Sequence, residues 1–219
     1  MFVLDASTSV TEFNFQVVKD FLIDFLSEAS IDDGSVRVGV VSFSDDDYLQ
    51  FHLNNHRDKM SLLRAIDSMP YAQGSTNTAD ALLTMRSEMF TAGNGDRAGV
   101  PNVAIVITDG VSNINSRRTI PEAEQARADG IHIYSIGIGL TDTKELDAMA
   151  SRPVEENRYS VQDFSELRHL RDDIFHALCT SQCCFLFCSS SFVNTFHISV
   201  SITFLSVSFK ILVLIISRF

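Results

Sequence analysis

Short β-branched apolar runs alternating with helically spaced segments predict an α/β fold: doubly wound, with a mostly parallel sheet, helices on both faces and one antiparallel edge strand. Two observations sharpen this. Val36–Phe43 (VRVGVVSF) and Val103–Thr108 (VAIVIT) are nearly continuous in apolar residues, as strands covered on both faces are. Three segments rich in small oxygen-bearing side chains follow strands or enter helices, and ligands of such sheets gather beyond the C-terminal ends of the strands.

The elements follow in order. Met1–Leu4 is a short apolar run ending at an acid, a first strand. Thr11–Ser30 is apolar on several faces, so it predicts a helix packed deeply against the sheet. Asp32-Asp33-Gly34-Ser35 is a turn before the second strand, Val36–Phe43. Asp45-Asp46-Asp47 reads as a solvated turn, and Tyr48–Leu53 alternates like a half-exposed edge strand. Lys59–Met69 and Thr78–Phe90 have helical spacing, and Gly93–Gly99 is a polar loop before the buried strand Val103–Thr108. Pro121–Asp129 predicts a helix with proline near its start, where a missing N–H costs little. Ile131–Ile138 is a strand, Thr143–Ala150 a helix and Arg158–Ser160 a brief strand. Asp163 is placed to cap a last helix, Phe164–Leu178, with Glu166 as its capping-box partner.

With 45% hydrophobic and 21% charged residues the 219-residue chain is globular rather than disordered. Met1 to Leu178 carries 15 Lys+Arg against 28 Asp+Glu, a net −13 within the overall −11. A body this acidic repels phosphate backbones, so nucleic acid is not the expected partner. Composition changes after Leu178. Phe185–Phe209 holds 25 residues without Asp, Glu, Lys or Arg, interrupted by polar residues such as Asn194 and His197. Residues 180–219 therefore form a hydrophobic, Ser/Phe-rich tail, read either as a membrane segment or as a non-native tail. All four cysteines, Cys179, Cys183, Cys184 and Cys188, fall at this boundary, and their spacing does not match a usual zinc site.

The chemistry concentrates in three places: Asp5-Ala6-Ser7-Thr8-Ser9 after the first strand, Gly74-Ser75-Thr76-Asn77-Thr78 entering a helix, and Thr108-Asp109-Gly110 after the fourth strand. Singly, each reads as a helix cap or a turn. In a doubly wound sheet, however, the first and fourth strands are often neighbours at the switch point. Asp5 and Asp109 would then end adjacent strands, with Ser7, Ser9 and Thr76 bringing hydroxyls to the same rim. Two carboxylates that close repel unless a cation lies between them. Oxygen-only donors suit a hard ion, Mg²⁺ before Mn²⁺ or Ca²⁺, and the lack of His or Cys disfavours zinc.

With these residues in place, the sequence resembles the von Willebrand factor type A (VWA) domains. Asp5-x-Ser7-x-Ser9, Thr76 and Asp109 look like that family's metal-ion-dependent adhesion site, and FVLDASTSV, VRVGVVSFS, GSTNTADAL, AIVITDGVSN and IHIYSIGIG match its surroundings. The likeness is closest to the VWA domains of collagens, matrilins and related matrix proteins. It implies a Rossmann-like fold over residues 1–179 and direct ion ligation by Ser7, Ser9 and Thr76, with Asp5 and Asp109 acting largely through water. It implies an extracellular protein partner that presents an acidic residue, and no enzymatic activity. It also implies a longer first strand, with an upstream cysteine pairing with Cys179. On that reading the chain is N-terminally truncated and has lost its signal peptide. A membrane role is expected only if the tail is genuine.

Other features carry less. Ile136-Gly137-Ile138-Gly139 lacks the third glycine of a dinucleotide fingerprint and reads as a tight strand end. There is no Walker-type sequence and no G-x-S-x-G, so Ser7 has no motif-level claim as a nucleophile. His132 is expected to be structural, and His52 and His56 solvated. A phosphotransfer enzyme using Asp5, an intracellular scaffolding subunit and a ligand-free structural spacer are the rival functions.

Overall fold

The computed structural model describes residues 1–180, and side chains to Leu178. The tail from Ser181, with Cys183, Cys184 and Cys188, lies outside the described residues, as does the Cys179 side chain. The anchor, zinc and disulfide readings therefore fall there too. Among the described residues no helix is long and apolar enough to cross a membrane.

A six-stranded sheet runs in the order β3-β2-β1-β4-β5-β6. Its strands are β1 (Phe2–Asp5), β2 (Val40–Phe43), β3 (Asp47–Phe51), β4 (Asn102–Thr108), β5 (Ile131–Ile138) and β6 (Arg158–Val161). Every pairing is parallel except β2 with β3, so the predicted antiparallel strand lies at the edge. The helices are α1 (Thr11–Ser27), α2 (Lys59–Asp67), α3 (Thr78–Thr84), α4 (Ser116–Ala128), α5 (Lys144–Met149), α6 (Val154–Asn157) and α7 (Leu170–Thr180).

Strand periodicity sorts the core into two layers. On β1, Phe2 and Leu4 face α1, α2 and α7, while Val3 faces α3, α4 and α5, because successive strand side chains point to opposite faces. Phe2 meets Phe25 of α1 edge-on, ring centroids 6.1 Å apart, a favoured aromatic geometry. The all-round apolar α1 is accounted for by Phe15, Val18, Phe21, Leu22, Phe25 and Leu26, all buried.

Several boundaries differ from the sequence reading. The second strand starts at Val40, not Val36. β1 pairs from Phe2 with Val40 and β3 ends at Phe51 with Val40, so residues 36–38 precede the paired strand, while Gly39 O still accepts the Phe2 N–H at 3.0 Å. The segment Thr78–Phe90 is not one α-helix: α3 stops at Thr84 and widens into a π-turn over Met85–Met89, which keeps Met85 and Met89 both buried. The fourth helix begins at Ser116, so Pro121 is interior and removes one helical hydrogen bond rather than occupying the first turn. The last helix opens as a 3-10 segment, Phe164–His169. Asp163 does cap it through Ser165 N–H, but Glu166 accepts from Gln162 N–H, one residue before the expected box partner. The short α6 carried no sequence signal.

Candidate functional site

β1 and β4 are adjacent and parallel, and their C-terminal ends carry Asp5 and, one residue past Thr108, Asp109. The chain diverges here: β1 continues to α1 on one face, β4 to α4 on the other. This is the switch-point crevice expected of a doubly wound sheet.

Asp5 is buried. Its Oδ1 accepts the Ser7 N–H at 2.9 Å and its Oδ2 accepts the Thr108 Oγ–H at 2.7 Å. Burial pushes this carboxyl up to about 6, against the lowering effect of those hydrogen bonds, and nearby Asp109 adds to the rise. Hydroxyls then lead outward. The Ser7 and Ser9 Oγ atoms lie 3.1 Å apart, and Ser9 Oγ–H donates to Asp109 Oδ1 at 2.8 Å. Burial also raises the Asp109 carboxyl above the usual carboxylate range, opposed by its bond from Ser9.

The third segment is locked to the first two. Thr8 N–H donates to Gly74 O at 2.9 Å, and Gly74 N–H returns a bond to Thr8 Oγ1 at 3.0 Å. Thr76 N–H donates to Asn113 Oδ1, and Thr76 O accepts from the N–H groups of Asn113 and Ile114. These bonds use the Thr76 backbone and leave out its hydroxyl, which points toward Gly110. A Cβ at Gly110 would stand 3.6 Å from Thr76 Oγ1. Asp5, Ser7, Ser9, Thr76 and Asp109 thus share one rim. Their donors are two carboxylates and three hydroxyls, a set that fits a hard divalent cation. Among the described residues no group of three or more His, Cys, Asp or Glu is placed to hold a metal ion.

Tyr71, Asp45 and Asn113 support the site in ways the sequence reading missed. Tyr71 Oη–H donates to Ser7 O at 2.9 Å. Asp45, expected in a solvated turn, accepts the Ser75 N–H at 2.6 Å. Gly74, at φ +116°, fits only because it lacks a Cβ, which would come within 2.8 Å of Asp45 Cγ. Asn113 bridges two loops from a position that has no pattern of its own. His52, expected to be solvated, is half-buried, its Nε2 3.9 Å from Glu88 and its Nδ1 without a hydrogen-bond partner. His56 packs edge-on against Phe51 at 4.9 Å. His132 is structural, bonded through Nε2 to Asn157 Oδ1 at 2.6 Å.

The family model described as von Willebrand factor type A domain matches residues 1–173. The collagen alpha-4(VI) chain of Mus musculus is 36% identical over 183 residues, covering 83% of this chain and 8% of that one. Matrilin-1 of Gallus gallus is 30% identical, covering 83% of this chain and 36% of its own length. The chain therefore spans a minor part of these curated relatives. Among solved structures, proximal thread matrix protein 1 from the mussel byssus, with a zinc-occupied MIDAS motif, superposes with a TM-score of 0.75 at 26% identity, over 81% of this chain and 47% of that one.

Proposed function

The chain belongs to the von Willebrand factor type A domain family, and from that premise we propose that it is a divalent-metal-dependent protein-binding module of an extracellular matrix or cell-surface protein. Its relatives include collagens and matrilins, which are matrix proteins. The observation that carries the reading is the run from buried Asp5 through Ser7 and Ser9 to Asp109, with the Thr76 hydroxyl facing the same rim.

Ser7, Ser9 and Thr76 would hold the ion directly, with Asp5 and Asp109 acting largely through water. When bound, the ion would supply a coordination position for an acidic side chain of a partner protein. Three neutral hydroxyls as direct donors would leave it electrophilic toward that carboxylate. The set favours Mg²⁺, with Mn²⁺ or Ca²⁺ as alternatives. The zinc in the byssus protein adds zinc to the ions worth testing. An enzymatic role for Asp5 finds little support: it is buried and both carboxylate oxygens already accept hydrogen bonds, a poor posture for attack on phosphorus.

Calorimetric titration of Mg²⁺, Mn²⁺ and Zn²⁺ into wild type, Asp109→Ala and Thr76→Ala tests this. Wild type is expected to bind and both variants to lose most of the affinity. A folded wild type that takes up none of the three ions would overturn the reading and leave a structural spacer in its place.

A further inference from the structure

Glu145 belongs to none of the three loop segments, yet it touches one of them. Its helix, α5, is seated firmly on β5. A Cβ at Gly137 would come within 2.7 Å of Leu146 Cδ2 and 2.8 Å of Leu140 Cδ1, so the glycine is what lets Leu146 press onto the strand end. Leu146 is buried, and its carbonyl accepts the Ser135 Oγ–H at 3.0 Å. The residue before it, Glu145, is thereby held at a fixed height beside the β4–α4 loop.

From there the half-buried Glu145 Oε1 accepts the Ser112 N–H at 2.8 Å. Ser112 is held a second time through its side chain, whose Oγ accepts the Thr119 Oγ–H at 2.8 Å from inside α4. Ser112 stands three residues after Asp109 and immediately before Asn113, which clamps Thr76 on both its N–H and its C=O. Two hydrogen-bonded contacts joined by the Ser112–Asn113 peptide link therefore connect α5, through the loop that carries Asp109, to Thr76. Burial raises the Glu145 carboxyl above the usual carboxylate range, offset by the Ser112 N–H. A partly desolvated carboxylate makes a stronger bond to an amide than a solvated one does.

We propose that Glu145 is a positioning residue of the ion site: braced on β5 through Leu146, it fixes Ser112 so that Asn113 holds Thr76 in register with Asp109. The ion part of this rests on the function proposed above; the loop part does not. If the bond served only to pack α5 on α4, its loss would loosen Ser112 and stop there. If it positions the site, the loss reaches Thr76, which Glu145 does not touch.

The test uses the full 219-residue chain as wild type, Glu145→Ala and Glu145→Gln. Amide hydrogen exchange is read at Ser112 and Thr76 in the presence of chelator, and Mg²⁺ affinity by calorimetry. In Glu145→Ala, both amides should exchange faster while those of Ile105–Ile107 in β4 stay protected, and Mg²⁺ should bind about tenfold more weakly. Glu145→Gln should restore most of both, because its amide oxygen can accept the same N–H. Unchanged Thr76 exchange in Glu145→Ala overturns the proposal, as does wild-type Mg²⁺ affinity in that variant. Absence of Mg²⁺ uptake by wild type would defeat the ion reading instead, and Thr76 exchange would still decide whether Glu145 holds the loop.

Discussion

The Ser9 hydroxyl donates to Asp109 across 2.8 Å, joining residues 100 positions apart in the chain and closing the crevice between β1 and β4. The bond is exposed, so water competes for both groups. In the ion-free protein Ser9→Ala should cost only about 0.5–1 kcal/mol, the usual net worth of such a bond. Its effect on the ion should be far larger, since it deletes a donor. Urea unfolding with chelator and calorimetry with Mg²⁺ should thus separate: a small shift in the first, most of the affinity lost in the second.

Asp5 makes the ion-free protein sensitive to pH. Its carboxyl is raised from 3.8 to about 6 on folding, chiefly by burial, so the folded state holds this proton more tightly than the unfolded chain does. Its contribution to stability therefore falls as pH rises from about 4 to about 6 and stays lost above that. Asp5→Asn keeps an acceptor for the Ser7 N–H. Its NH₂ can donate to Thr108 Oγ1, whose own proton can turn to Gly110 O, 3.0 Å away. With chelator at neutral pH, Asp5→Asn should unfold later than wild type, by about 1–3 kcal/mol, and should lack the wild-type fall in that pH window. Equal stability of the two proteins across the window would refute the burial argument.

Gly74 and Asp45 form a matched pair. Gly74→Ala meets two obstacles, the positive φ and the clash with the Asp45 carboxylate. It should destabilise by roughly 2–3 kcal/mol, somewhat above the cost of a strained backbone alone. Adding Asp45→Ala should recover the steric part and leave the backbone part. A double-mutant cycle in urea reads the coupling, and strict additivity would show that the two residues do not meet.

Tyr71 anchors the carbonyl of Ser7, an oxygen that also accepts the Val10 N–H at 3.2 Å. Tyr71→Phe keeps the ring's packing against Phe15, 5.8 Å away, and removes the hydroxyl donor. The expected loss is about 1 kcal/mol, with faster exchange of the Val10 amide. An unaltered Val10 amide would mean that the helix start is held by other contacts.

The mostly parallel sheet with its antiparallel edge and the first and fourth strands' adjacency were legible because alternating apolar runs and helices leave few arrangements for a right-handed chain. Asp5, Ser7, Ser9 and Asp109 were legible for a local reason: each sits within a few residues of a strand end. Tyr71, Asp45 and Glu145 were not. Each reaches a backbone group 64, 30 or 33 residues away, and no periodic pattern marks a polar side chain for such a contact. The second strand was read four residues too early at Val36 because apolar character reports burial, and Val36 and Val38 are buried although their segment precedes the paired strand.

The rim has a second population of residues with a different standing. Phe13, 79% exposed, and Val111, 48% exposed, lie on the segments that follow Ser9 and Asp109, and neither contributes to a core cluster. Beside them, Asp5, Ser7 and Thr76 are buried and tied down by hydrogen bonds. Substitution at Phe13 or Val111 therefore changes the outer surface of these segments while leaving the hydrogen bonds beneath it intact.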